Sequence, residues 1–205
     1  MATAAAPTAP DLLRRVGRLQ VLTIAWMTVE AIVSFGAAWT ARSPALLGFG
    51  GDSAIELFSA IIVLWRFRSK SNSADAEKLA ARVAGVLLFT VAAFVIISSA
   101  LSLLGLREPQ PSFVGIILLI VAAFGMPWLA SQKRKLATQV ASASLRADAT
   151  ESALCGYLSL IALAGLLANA IFHVPWADPI AALALVPLIA REGWDAIHAS
   201  QHCCN

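Results

Sequence analysis

Charge is scarce in this chain. Only 13% of its 205 residues are Asp, Glu, Lys or Arg, whereas 59% are hydrophobic. A soluble globular domain carries roughly a quarter charged residues, so this balance excludes an ordinary soluble fold, and a disordered chain even more firmly. Cysteine and histidine number three each. Two of the cysteines, Cys203 and Cys204, are adjacent, a placement that strains disulfide geometry and rules out a disulfide-stapled scaffold. There is no Ser/His/Asp arrangement, no H-E-x-x-H helix and no phosphate-cradling glycine loop, so no enzyme class is indicated. The net charge of +3 comes without any arginine/aromatic module, so nucleic acid is not an expected partner.

Long apolar blocks fill the space that charge leaves. The mean hydropathy is +0.78, and six segments approach the roughly 20 residues that span a bilayer: 19–39, 45–65, 79–104, 113–129, 149–172 and 179–197. The expected fold is an all-α integral membrane protein, a six-transmembrane-helix bundle. Residues 1–18 read as a cytoplasmic N-terminal arm, 19–199 as the membrane domain and 200–205 as a short cytoplasmic His/Cys tail. The arm has no cleavage-site pattern, so the first span is expected to be an uncleaved anchor.

Basic residues orient the spans. Arg14, Arg15 and Arg18 precede the first; Arg66, Arg68, Lys70, Lys78 and Arg82 separate the second and third; Lys133, Arg134, Lys135 and Arg146 separate the fourth and fifth. The alternate loops carry only Arg42 and Arg107. The positive-inside rule then places both termini in the cytoplasm, with anionic lipid sufficient to account for the basic loops. Trp39, Trp65, Trp128, Trp176 and Trp194 fall near span ends, at the depth amphipathic rings prefer, while Trp26 lies deeper. Asp178-Pro179 reads as an N-cap followed by proline at the first helical position.

The acids divide into two groups. Asp11, Asp75, Glu77, Glu108, Glu192 and Asp195 lie at ends or in loops and are expected to be solvated. Glu30, Asp52, Glu56, Asp148 and Glu151 lie within or at the edge of spans, where a carboxylate is costly unless paired or functional. The bases near them, Arg42, Arg82, Arg107 and Arg146, sit toward helix ends, so these acids point to a cation pathway. Asp52 and Glu56 are one helical turn apart, as are Glu151 and Cys155, and each pair therefore shares a helix face. Two such faces can close a four-coordinate site. Carboxylates alone suit Mg²⁺, Ca²⁺ or Mn²⁺, and a thiolate among them shifts the preference toward Zn²⁺, with Cd²⁺ or Co²⁺ as alternatives. Cys155 could equally be a small packing residue.

Three segments carry a family likeness. Gly50-Gly51-Asp52-Ser53-Ala54-Ile55-Glu56-Leu57-Phe58-Ser59 resembles the second-helix signature of the cation diffusion facilitator (cation efflux) transporters. Ser144-Leu145-Arg146-Ala147-Asp148-Ala149-Thr150-Glu151-Ser152-Ala153-Leu154-Cys155 resembles their fifth-helix signature, and Ala177-Asp178-Pro179-Ile180-Ala181-Ala182 the start of their sixth. The family usually presents Asp or His and then Asp on the second helix, where this chain has Asp52 and Glu56. On the fifth it presents His and then Asp, where this chain has Glu151 and Cys155. The likeness is to a short branch without the family's cytoplasmic C-terminal domain. It implies metal efflux by proton antiport and points to a homodimer.

The expected activity is export of a divalent metal, zinc first, through Asp52, Glu56, Glu151 and Cys155. Asp148 and Glu30 would support the site or relay protons. No prosthetic group is expected; the transported ion and coupling protons are the ligands, and the lipid bilayer is the surrounding partner, in a prokaryotic cytoplasmic membrane. His198, His202, Cys203 and Cys204 could relay metal in the tail, or form an idle or acylated end. His173 reads as a polar interface residue. The alternatives to a transporter are a metal-binding sensor or scaffold, which would bind without proton-coupled flux, and a passive cation channel.

Overall fold

A computed structural model describes residues 9–68 and 74–199. They form six helices: α1 (Ala9–Ala41), α2 (Pro44–Arg68), α3 (Ala74–Leu103), α4 (Phe113–Gln139), α5 (Ala143–Phe172) and α6 (Ala177–Ala199). Five contain stretches long and apolar enough to cross a membrane: Leu12–Ala41, Pro44–Ile62, Arg82–Leu103, Phe113–Gln139 and Leu145–Phe172. The sixth, α6, is interrupted toward its end by Arg191, Glu192 and Asp195. The chain is an integral, multi-pass membrane protein. Pro127 and Pro187 both lie inside helices, in α4 and α6.

Sequential helices pair closely, α1 with α2 and α4 with α5, while α6 returns to pack on α3. The helix α2 also touches α3, α5 and α6, which puts its polar residues near the middle of the bundle. The core around it includes Met27, Leu46, Phe49, Leu119, Met126, Leu158, Leu185 and Ile189, each fully buried. The outer surface is apolar: Ile32, Phe94, Phe124 and Tyr157 are all exposed. The interior holds Gln20, Glu30, Asp52, Glu56, Lys133, Asp148 and Ser152. A polar inside beneath an apolar belt is what hydrocarbon solvent selects. Trp39 is 84% exposed, and Trp26 is turned inward beside Glu30.

The turns at one end are knitted by polar contacts. The Asp178 carboxylate reaches across to α2, accepting from the Ser43 hydroxyl and from the Ala45 backbone N–H at 3.1 Å. This corrects the expected N-cap. The helix α6 already starts at Ala177, so Asp178 lies in its first turn and caps the start of a neighbouring helix instead. At the same end, Gln110 N–H donates to the Ala41 carbonyl at 2.8 Å and Asn169 Nδ2 to the Pro109 carbonyl at 3.0 Å.

Within lipid, helices associate by close packing of small residues rather than by expulsion of water. Gly165 on α5 shows how tight this is, since a Cβ there would lie 2.4 Å from Ala181 Cβ and 3.2 Å from the Ala177 carbonyl oxygen of α6. At Gly125 on α4 nothing lies within 4 Å of such an atom. Gly165→Val is therefore expected to lower the thermal midpoint in detergent, by an overpacking penalty of about 1–3 kcal/mol. Gly125→Ala should leave the midpoint unchanged or raise it, because alanine is the better helix former. Equal responses of the two variants would show that the α5–α6 contact is not close-packed.

Candidate cation site

The site grows from two antiparallel helices. On α2, Asp52 and Glu56 are 5% and 4% exposed. On α5, Asp148, Ser152 and Cys155 are buried, with Glu151 partly so. Asp52 lies level with Cys155, and Glu56 with Ser152, because α2 and α5 run in opposite directions through their shared contact.

The level of Glu56 and Ser152 contains an ion-paired cluster. Lys133 Nζ lies 2.9 Å from Asp148 Oδ1 and 3.6 Å from Glu56 Oε1, with all three side chains nearly or fully buried. Lys133 Nζ also donates to Ser152 Oγ at 2.7 Å, and the Ser152 hydroxyl donates to Glu56 Oε1. From α1, Gln20 Nε2 donates to the other Asp148 oxygen at 2.7 Å. One ammonium, one amide and one hydroxyl thus hold two carboxylates, and four helices are tied together. Buried charges persist in this way, paired and hydrogen-bonded.

Lys133 corrects the sequence reading on two points. Its place in the run 133–135 predicts a loop charge that sets topology, and the five acids within the spans are expected to lack a matching base. In fact α4 runs to Gln139, past the expected end at 129. Met126, Ala130, Lys133 and Ala137 are all buried and recur at helical spacing, so they form the inward face of α4. Arg134 and Lys135 next door are exposed. The missed signal is this periodicity, carried through the basic run.

The second level surrounds Asp52. Its carboxyl neighbours Cys155 and Glu192 of α6. Cys155 Sγ also lies 3.8 Å from Glu30 Oε1. The other Glu30 oxygen is buried and has no hydrogen-bond partner among the described residues. Glu151 contacts Ser59 of α2 through one oxygen, while its Oε2 is buried without a partner among the described residues. The structure therefore brings Asp52 to Cys155, Glu56 to Ser152 and Lys133, and Glu151 to Ser59. Among the described residues, no three His, Cys, Asp or Glu side chains are gathered as a ready-made metal-coordinating group.

Glu192 is the second correction. It was expected to be solvated at a helix end, yet it is partly buried against Asp52. The helix continues to Ala199, and Leu185, Ile189 and Glu192 follow one inward face. Arg191 and Asp195 pair outside at 4.0 Å, 80% and 71% exposed. His198 also belongs to α6; its ring stacks on Trp194 with centroids 4.2 Å apart, and its Nδ1 lies 2.9 Å from the Trp194 carbonyl. His202, Cys203 and Cys204 lie outside the described residues. His173 ends α5 in the left-handed conformation, with φ 55°.

Removing the Lys133 ammonium would leave Asp148 and Glu56 facing each other without a counter-charge. Lys133→Met is expected to destabilise the protein in detergent by about 3–5 kcal/mol, the usual result of breaking a buried pair on one side. Adding Asp148→Asn should recover part of that loss. A double-mutant cycle on the two positions, followed by thermal unfolding, reads the coupling directly. Strictly additive losses would show that the pair does not interact energetically.

Comparison with known proteins agrees with this architecture. The chain is 23% identical over 191 residues to the manganese efflux system protein MneS of Bacillus subtilis (strain 168), an alignment covering 89% of this chain and 66% of that protein. It is 22% identical over 191 residues to the uncharacterized transporter YdbO of the same organism, with the same coverage. The chain thus spans just under two thirds of the length of these curated relatives. The family model of the cation efflux transmembrane domain matches residues 21–200, which take in all of α2 to α6 and most of α1, so the chain belongs to the cation efflux family.

Proposed function

We propose that the protein exports a divalent transition-metal ion in exchange for protons. The ion would be held by Asp52, Glu56, Glu151 and Cys155, and both termini would face the cytoplasm of a prokaryotic cell. The observation that carries this reading is the imbalance of buried charge. Lys133 pairs with Asp148 and Glu56, whereas among the described residues no Lys or Arg forms a salt bridge with Asp52, Glu30 or Glu151, Glu151 feeling the Lys133 charge only from farther off. A cluster of carboxyl groups without a basic partner inside a membrane is suited to protons or a metal cation.

Binding would proceed with loss of protons from the ligands, because carboxyl and thiol groups coordinate in their deprotonated forms. Glu30, with one buried oxygen unpartnered, is the group best placed to carry a proton away. Asp148, fixed by Lys133 and Gln20, positions α5 rather than meeting the ion. Alternating access around a site near mid-membrane is the common plan of secondary transporters.

The choice of metal follows from the donor set. Cys155 is a soft donor and keeps Zn²⁺ as the first reading. Mn²⁺ is the second, favoured by the predominance of carboxylates and by the manganese efflux named for a relative.

Inside-out membrane vesicles with an acidified lumen test the proposal. Addition of Zn²⁺ or Mn²⁺ is expected to be followed by metal uptake together with alkalinisation of the lumen. Asp52→Ala and Glu151→Ala should each reduce uptake by about tenfold or more, as loss of metal-site groups does. Wild-type uptake by both variants would overturn the site. Uptake without any proton movement would favour a passive channel, and stoichiometric binding without uptake a sensor.

A further inference from the structure

We propose that Glu192 of α6 is a ligand of the transported cation, so that the site is built from three helices, α2, α5 and α6. This inference rests on the transport reading above and adds a donor to it.

The first observation is position. Glu192 lies beside Asp52, an acid of α2 with which Lys133 forms no salt bridge. Asp52 in turn contacts Cys155 of α5. One carboxyl group therefore lies beside donors from two other helices, and a cation bound there would meet all three.

The second observation is how firmly that position is held. The helices α3 and α6 cross at two glycines. A Cβ on Gly85 would lie 2.7 Å from the Gly193 carbonyl oxygen and 2.5 Å from Ile197 Cγ1. A Cβ on Gly193 would lie 3.1 Å from Leu88 Cβ and 3.2 Å from the Gly85 carbonyl oxygen. Backbones approach this closely only where side chains are missing. The crossing fixes the rotation of α6 at the residue next to Glu192. It keeps the Arg191–Asp195 pair outside and leaves Glu192 facing α2.

The third observation points to a missing ligand. Glu30 is fully buried, and one of its oxygens lies against Cys155. Its second oxygen has no hydrogen-bond partner among the described residues. Four acceptor-rich or soft side chains, Asp52, Glu192, Cys155 and Glu30, thus join in one chain of contacts, and no Lys or Arg is paired with any of them among the described residues. The contacts run through Asp52 rather than around one point, so loading requires side-chain rotation toward the ion. Because the carboxylates outnumber the thiol, this site accepts Mn²⁺ as well as Zn²⁺.

Purified protein in detergent, titrated with Mn²⁺ and read by the electron paramagnetic resonance of the free aquo ion, tests the assignment. Glu192→Gln keeps the size and hydrogen bonding of the side chain but removes the anionic donor. It should weaken Mn²⁺ binding by about tenfold or more, and Glu192→Asp should recover part of the loss. The metal-free thermal midpoint of Glu192→Gln should not fall, which separates ligation from a structural role. Wild-type Mn²⁺ affinity in Glu192→Gln, with binding lost in Asp52→Ala, would overturn the Glu192 assignment and leave the transport site standing. Wild-type affinity in both would remove the site itself. If Glu192→Gln does not purify folded, the Co²⁺ complex of Glu192→Cys decides, measured with Cys203→Ser and Cys204→Ser in both proteins. Its thiolate-to-cobalt absorption should be roughly twice that of the parent, and an unchanged band would overturn the assignment.

Discussion

A single buried ammonium organises this bundle. Lys133 sits in a helix surrounded by hydrocarbon, where an unpaired charge is costly, and it survives there because Asp148, Glu56 and Ser152 converge on it. Its partners come from α2 and α5, and Gln20 of α1 completes the Asp148 side. The register of α4 against α5, and of both against α2, follows from this convergence. Apolar packing is less selective, since lipid tails and leucine side chains are nearly equivalent solvents for a helix. The polar cluster supplies a fixed alignment that small-residue crossings such as Gly165 on Ala181 then tighten.

That cluster also divides the interior. Around Asp52 no Lys or Arg forms a salt bridge among the described residues, and its described neighbours include the Glu192 carboxyl and the Cys155 thiol. At the Lys133 level charge is balanced by a salt bridge within the protein, and at the Asp52 level no such bridge is formed among the described residues. A base at the level of Asp52 would compete with the ion for the same carboxylates.

Much of this was legible before any coordinates. Apolar length delimits the spans, and the spacing of Asp52 with Glu56 and of Glu151 with Cys155 assigns each pair to a helix face. The parts that were not legible depend on which neighbour a face meets. Lys133 stands in the run Lys133-Arg134-Lys135, which looks uniformly basic, yet only Lys133 continues the inward face of Met126 and Ala130. Glu192 stands between the outward Arg191 and the crossing residue Gly193; it continues the inward face of Leu185 and Ile189, but which helix that face meets depends on the contact of α6 with α3. Asp178 was recognisable as a cap, but the helix it caps begins at Pro44, across the bundle. In each case the residue type was informative and the partner was a tertiary property.

The central claim is that a divalent cation binds among the acids of α2 and α5 while Lys133 stays on Asp148. Crystals grown with Mn²⁺ and measured at a wavelength where manganese scatters anomalously test it most directly. An anomalous peak is expected within coordinating distance of the Asp52 carboxylate and of donors on α5, with Lys133 Nζ still paired with Asp148. A peak confined to the lipid-facing or loop surface, or none in the interior at saturating Mn²⁺, would contradict it.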